Sequence, residues 1–188
     1  IQAIQSIIGN LRNIKIHDVA TNTGNFPLLL SQLADRNLLP FQVKEIYCSD
    51  YNDTMPRGIF HTLQESLGSF QTPVHIEQLD VRVPAPPLAE ADVIIANDIL
   101  EHFSDEEAEH IFHNLWAHTS NMLIIHVPIE EIPNRFYGHL TNFTDEKLYR
   151  WADQLPGCKN LTEEFLRSFN FVQTHDLCGF LFLKKITA

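Results

Sequence analysis

The chain is 188 residues long, 44% hydrophobic and 20% charged, which suits one globular domain with a substantial core and excludes collagen, coiled coil and disorder. Thirteen Lys and Arg against 24 Asp and Glu leave a formal charge of -11, so no broad electropositive surface is expected to hold duplex DNA. Three widely spaced cysteines, Cys48, Cys158 and Cys178, match neither a disulfide framework nor a metal clip and read as reduced thiols in a cytoplasmic protein.

Apolar runs such as Val93 to Ala96 are far short of the roughly 20 residues a bilayer span needs, so no membrane partner is expected. The chain begins at Ile1 with no basic and apolar leader, and an additional N-terminal segment or domain upstream is expected. Ile1, Ile4, Ile7, Ile8 and Leu11 fall at helical spacing, and Lys15 to Ala20 then reads as a first strand. The pattern predicts helices over Phe26 to Ala34 and Thr54 to Leu67, and further strands over Val43 to Ser49, Val74 to Leu79, Val93 to Ala96 and Met122 to Val127.

Ser104-Asp-Glu-Glu107 has the form of a capping box, opening a helix that buries Ala108, Ile111, Phe112 and Leu115. His110 and His113 share the opposite face with Glu106 and Glu109 and read as solvated. Helices are predicted over Thr144 to Trp151 and Asn160 to Phe169, then a hairpin of Phe171 to Thr174 and Phe180 to Leu183 across Asp176 to Gly179. Alternation of helix and strand makes this an α/β chain: a doubly wound, mostly parallel sheet with a C-terminal antiparallel hairpin and helices on both faces, in a single domain over residues 1–188.

Ligands of open α/β sheets bind at the carboxyl ends of the strands, and here those ends are acidic. They carry Asp18 to Gly24, Asp50-Tyr51, Asp80-Val81, and Asn97-Asp98 followed by Glu101-His102. Carboxylates at that edge suit ribose hydroxyls, an exocyclic amine or a cation, and suit a triphosphate poorly. Each Asp alone also suits an ordinary strand-end turn.

In order and spacing these residues resemble the class I S-adenosylmethionine-dependent methyltransferases, closest in pattern to the ubiquinone-type small-molecule O-methyltransferases. The resemblance implies a Rossmann-like fold, methyltransferase activity and S-adenosyl-L-methionine as cofactor. It implies that Asp18, Ala20, Thr23 and Gly24 lie under the methionine part, that Asp50 accepts from the ribose hydroxyls, and that Asp80 accepts from the adenine amine. Tyr51 and Val81 would flank the adenine ring, and Asn97, Asp98 and Ile99 would face the amino acid end. Of the family's Asp-x-Gly-x-Gly-x-Gly loop only Gly24 remains, with Ala20 and Asn22 at the first two glycine positions. A left-handed backbone there would cost Ala20 about 1 to 2 kcal/mol.

Tyr137-Gly-His139 through Trp151 is similar to the region after the fifth strand of the ubiquinone-type enzymes and, more loosely, of small-RNA terminal 2′-O-methyltransferases. In the RNA family two acidic residues and two histidines bind a metal, which implies Asp98, Glu101, His102 and His139 as ligands of a divalent cation here. Mixed oxygen and nitrogen donors suit magnesium, manganese or zinc. Glu101 and His102 equally suit solvated positions at a helix start, and both readings stand at this point. His102, His126 and His139 are the candidate proton acceptors.

Residues 128–143 read as a lid over the acceptor, with Phe136 or Tyr137 as an apolar wall and Arg135 facing an anionic acceptor; a packed crossover is the competing expectation. The expected reaction is methyl transfer to a small-molecule acceptor, on oxygen. Two alternatives stand beside it. One is a metal-assisted RNA ribose 2′-O-methyltransferase with a local basic groove of Arg135, Lys147 and Arg150. The other is a catalytically degenerate binding module, suggested by Ala20 and Asn22.

Overall fold

The computed structural model describes residues 1, 4–5, 13–68, 70–83, 90–168 and 178–186. Among these, seven strands make one sheet: β1 (Ile14–Val19), β2 (Val43–Asp50), β3 (Val74–Gln78), β4 (Ala91–Asn97), β5 (Thr119–Pro128), β6 (Cys158–Asn160) and β7 (Cys178–Lys185). Their order across the sheet is β3-β2-β1-β4-β5-β7-β6. The first five pair in parallel, and β7 runs antiparallel to both β5 and β6. Helices α1 (Asn25–Asp35), α2 (Thr54–Leu67), α3 (Asp105–His118), α4 (Asp145–Asp153) and α5 (Thr162–Ser168) connect or flank them, with 3₁₀ turns at Leu100–His102 and Arg135–Tyr137.

The central strands are covered on both faces, which is why β4 reads as the nearly unbroken apolar run Ala-Asp-Val-Ile-Ile-Ala-Asn. Successive side chains alternate between two cores. Ile94, Ala96, Leu123, Ile125, Leu181 and Leu183 pack with Ile111, Phe112 and Leu115 of α3 and with Leu148 and Trp151 of α4. On the other face Ile14, Ile16, Val93, Ile95, Met122 and Phe182 pack with Leu30 of α1 and Phe165 of α5. The expected two-faced α/β sheet is therefore what the chain builds.

Two expectations change at the C-terminal edge. The predicted hairpin strand Phe171 to Thr174 lies outside the described residues, and the outer partner of β7 is instead β6. The helix expected from Asn160 starts at Thr162, because Asn160 ends β6 and its side-chain oxygen accepts from the Thr162 backbone N–H at 2.9 Å. Of the helix expected within residues 1–12, only Ile1, Ile4 and Gln5 are described; Ile4 is buried in the second core. No described helix is long and apolar enough to cross a membrane.

The capping box forms as expected: the Glu107 backbone N–H donates to Ser104 Oγ, and the Ser104 backbone N–H donates to Glu107 Oε2 at 3.1 Å. At the other end of α3 the Lys185 ammonium donates to the carbonyls of Trp116 and Thr119, filling positions the helix leaves unpaired. Ser104→Ala removes one acceptor at the helix start, and its expected cost is about 1 kcal/mol in urea unfolding.

Candidate functional site

The loop between β1 and α1 takes the backbone that its sequence made expensive. Ala20, Asn22 and Gly24 have φ of 57°, 51° and 74°, so both non-glycine residues adopt the left-handed conformation that the family's glycines would take freely. Gly24 has a second constraint, since a Cβ there would lie 3.2 Å from Pro56 Cβ. The loop is tied down by hydrogen bonds: Thr21 Oγ1 donates to Asp18 Oδ2 at 2.6 Å, the Thr21 N–H donates to the Ser49 carbonyl, and the Asn22 N–H donates to Asp50 Oδ2 at 2.8 Å. Asp18 itself is buried at 4% exposure. Burial pushes its carboxyl up to about 7, against the Thr21 hydrogen bond, and the neighbouring Asp50 charge adds to the rise.

Beside this loop is a cleft of about 430 Å³, within the range of small-molecule sites. It is lined by Ala20, Asp50, Tyr51, Leu79, Asp80, Val81, Arg82, Ile99 and Phe103. Six residues singled out from the sequence thus meet in one place: Ala20, Asp50, Tyr51, Asp80, Val81 and Ile99. Asp18, Thr23, Gly24, Asn97 and Asp98 do not line it. Leu79, Arg82 and Phe103 were missed.

Arg82 is the consequential omission. Its backbone N–H and Nε donate to Asp80 Oδ1 at 3.0 and 2.9 Å, and Nη2 donates to Oδ2 at 2.7 Å. A carboxylate offers about four acceptor positions, so roughly one is left on Asp80. The guanidinium also lies 5.7 Å from the centre of the Tyr51 ring. The Asp-x-Arg spacing across a strand-end turn is the signal that would have found it.

A second group assembles where β4 runs into the 3₁₀ turn at Leu100–His102. One ligand atom each from Glu101, His102 and His139 lies within 4.8 Å of the other two. Glu101 is 1% exposed, and its Oε2 has no hydrogen-bond partner. Burial pushes its carboxyl up to about 7, with the Asp98 charge adding to the rise. His102 is exposed, and its ring meets that of the buried His139 edge-on at 5.2 Å between centres.

Asp98, expected among these ligands, is not brought into the group. Its carboxylate is 2.9 Å from His126 Nδ1, and its backbone N–H donates to the His126 carbonyl, on a backbone with φ of 50°. His126 is therefore held by Asp98 at the end of β5, with its ring 4.6 Å from that of Phe180.

The connection from β5 to α4 folds back over this group. The backbone N–H groups of Leu140 and Thr141 donate to the Glu101 carbonyl at 2.7 and 3.3 Å, and Ile129 bridges Phe143. Phe136 and Tyr137 stand out from it at 89% and 64% exposure. Lys147 is unavailable to a ligand, because its ammonium donates to Asp105, Thr141 and the Asn142 carbonyl and sits over the Phe143 and Trp151 rings. The expected basic groove of Arg135, Lys147 and Arg150 thus loses its middle member.

The sequence matches no family model and no curated protein. Solved structures do match. The magnesium protoporphyrin IX methyltransferase of Synechocystis PCC 6803, with bound S-adenosylmethionine, superposes at a TM-score of 0.65 and 15% identity, over 98% of this chain and 74% of that one. The fold is that of the class I S-adenosylmethionine-dependent methyltransferases. A small RNA methyltransferase, HEN1, superposes at 0.70 with 14% identity, over all of this chain and 25% of its own length. So does the 4+2 cyclase SpnF, at 0.66 and 10% identity, over all of this chain and 80% of that one. The same architecture therefore carries chemistry of more than one kind, and the side chains decide between them.

The loop generates two predictions. Ala20→Gly relieves about 1 to 2 kcal/mol of left-handed strain against about 0.4 to 1 kcal/mol of added unfolded-chain entropy, so it is expected to raise stability by up to about 1.6 kcal/mol in urea unfolding. Asp18→Asn keeps an acceptor for Thr21 and removes a buried charge. Because burial pushes the folded carboxyl up to about 7 from its ordinary 3.8, the penalty is absent below about pH 4 and complete above about pH 7. The variant should therefore be more stable than the parent at pH 8.5, and the gap should close as the pH falls to 4.

Proposed function

We propose that this chain transfers a methyl group from S-adenosyl-L-methionine to an oxygen of a small-molecule acceptor, with a divalent cation held beside the acceptor. The observation that carries the reading is the Glu101 carboxylate, which has a buried oxygen without a partner and converges with two imidazoles. Leaving such an oxygen unpaired costs about 1 to 3 kcal/mol or more, and a cation bound by Glu101, His102 and His139 removes that cost. The donor set of one carboxylate and two imidazoles fits manganese or zinc well and magnesium less well. When bound, the cation would supply a positive charge that makes a nearby hydroxyl more acidic.

For the cofactor, Asp50 carries the ribose hydroxyls, and Tyr51, Val81, Leu79 and Phe103 enclose the adenine ring. Arg82 orients the one acceptor position left on Asp80 toward the adenine amine. The Asp18 to Gly24 loop and Asn97 hold the amino acid end. Asp98 orients His126, whose imidazole accepts the acceptor's proton. Alignment of donor and acceptor and exclusion of water by the β5–α4 connection account for the rest of the acceleration.

A ribose 2′-hydroxyl of RNA would use the same cation. The sequestered Lys147 and the formal charge of -11 favour the small molecule. A non-catalytic module is disfavoured by the open cleft and the unpaired Glu101 oxygen.

Calorimetric titration of S-adenosylmethionine and S-adenosylhomocysteine, with and without Mn²⁺, tests the reading. Micromolar binding is expected, weakened at least about tenfold by Asp50→Ala through loss of charge-assisted hydrogen bonds. Mn²⁺ binding is expected to be lost in Glu101→Gln. No binding of either cofactor form sinks the assignment. A radiolabelled methyl group appearing on short single-stranded RNA and on no hydroxylated small molecule moves it to the ribose acceptor.

A further inference from the structure

We infer that Glu130 is a positioning residue for the metal centre: it holds His139 in the tautomer whose Nε2 lone pair faces Glu101 and His102. This rests on the cation reading above. Glu130 Oε2 lies 2.8 Å from His139 Nδ1, with the two side chains 20% and 10% exposed. An ionised carboxylate only accepts, so Nδ1 carries the hydrogen and Nε2 is left as the acceptor of the neutral ring. Of the two ring nitrogens, Nε2 is then the one available to the group that His139 forms with Glu101 and His102.

The same oxygen does a second job. Glu130 Oε2 accepts the Asn134 backbone N–H at 3.0 Å, and Asn134 in turn caps the 3₁₀ turn through its side chain, which accepts from the Phe136 N–H at 3.2 Å. The Asn134 carbonyl accepts from the backbone N–H groups of Tyr137 and His139 at 3.1 and 3.2 Å. Gly138, at φ 79°, lets the chain reverse between them. One carboxylate oxygen thus fixes both the start of the turn and the ring that follows it. Glu130 is not itself in the converging group, because its oxygen is already committed to His139 and Asn134.

Carboxylates behind metal-bound imidazoles raise metal affinity by orienting the ring and its tautomer, and removing them costs about 10 to 100-fold. A pin that only shaped the loop would leave the tautomer alone, so the test reads the tautomer as well as the metal.

Mn²⁺ is titrated into the whole chain, into Glu130→Gln and into Glu130→Ala, and the His139 ring is followed by ¹⁵N NMR without metal. Glu130→Ala is expected to weaken Mn²⁺ about 10 to 100-fold and to move His139 from the Nδ1–H toward the Nε2–H form, with cofactor affinity unchanged. Glu130→Gln keeps one amide oxygen able to accept from both the His139 Nδ1–H and the Asn134 N–H, so a smaller loss with the Nδ1–H form retained is expected; it carries the test if the alanine variant does not fold. Unchanged Mn²⁺ affinity in both variants, or an Nδ1–H tautomer that survives in Glu130→Ala, overturns the inference. Failure of the parent chain to bind Mn²⁺, with the tautomer change still present, overturns the cation reading and leaves the role of Glu130 toward His139 standing.

Discussion

The register of the three central parallel strands is the constraint on which the upper edge depends. In β1–β4 Asp18 stands opposite Ile95, and in β4–β5 Asn97 stands opposite His126, so the strands finish nearly level. Because β4 is buried on both faces, a slip of one residue would exchange its two cores, and the register is therefore firmly specified. The chain leaves each strand where the core stops, and whatever polar groups come next are delivered together. The hydrogen bond from the Asp98 N–H to the His126 carbonyl is the last rung of this ladder, and the contact between their side chains follows from it.

The same burial that fixes the register makes that edge expensive. Asp18 and Glu101 are both buried carboxylates pushed up to about 7, and Ala20, Asn22 and Asp98 hold a left-handed backbone without being glycine. Asp18 is partly compensated by Thr21, whereas Glu101 keeps one oxygen unpaired. Away from that edge α3 has its capping box and Lys185 closes its last turn, although the Ser31 hydroxyl of α1 is buried without a hydrogen-bond partner. Among the described residues three of the five non-glycine positions with positive φ, Ala20, Asn22 and Asp98, stand on this edge, the others being Asn13 and Asn37, and backbone strain of this kind clusters where ligands bind.

How much of this was legible in the sequence depended on whether the information was local. Strand runs such as Asp92 to Ala96 and the capping signal at Ser104 are local, and the five parallel strands and α3 lie where they were expected. Strand β6 was missed because three residues carry too little alternation to announce pairing that β7 supplies from a distance. Within the site, Asp50, Tyr51, Asp80 and Val81 were found because they follow strand ends, while Phe103 was missed because its neighbours come from other elements. Asp98 was expected to join Glu101 through their shared segment, but the left-handed backbone at Asp98 turns its carboxylate to His126 instead. Glu130 gave no signal at all, since it lies nine positions before His139 in a stretch without periodicity.

The 3₁₀ turn at Leu100–His102 joins the two halves of the candidate site. Ile99 and Phe103 line the cleft, while Glu101 and His102, lying between them in sequence, belong to the other group. Three residues at a rise of about 2.0 Å each span roughly 6 Å, so the two halves are held by one short segment rather than by separate loops. Leu100 and Glu101 are the buried members and His102 is exposed, which opens the group on the side of His102. On that side stand Phe136 and Tyr137, carried by the connection that docks on the Glu101 carbonyl. Donor and acceptor would then meet across a wall whose position is set by the core beneath it. A change in the β5–α4 connection would alter which acceptor is admitted without disturbing how the cofactor is held.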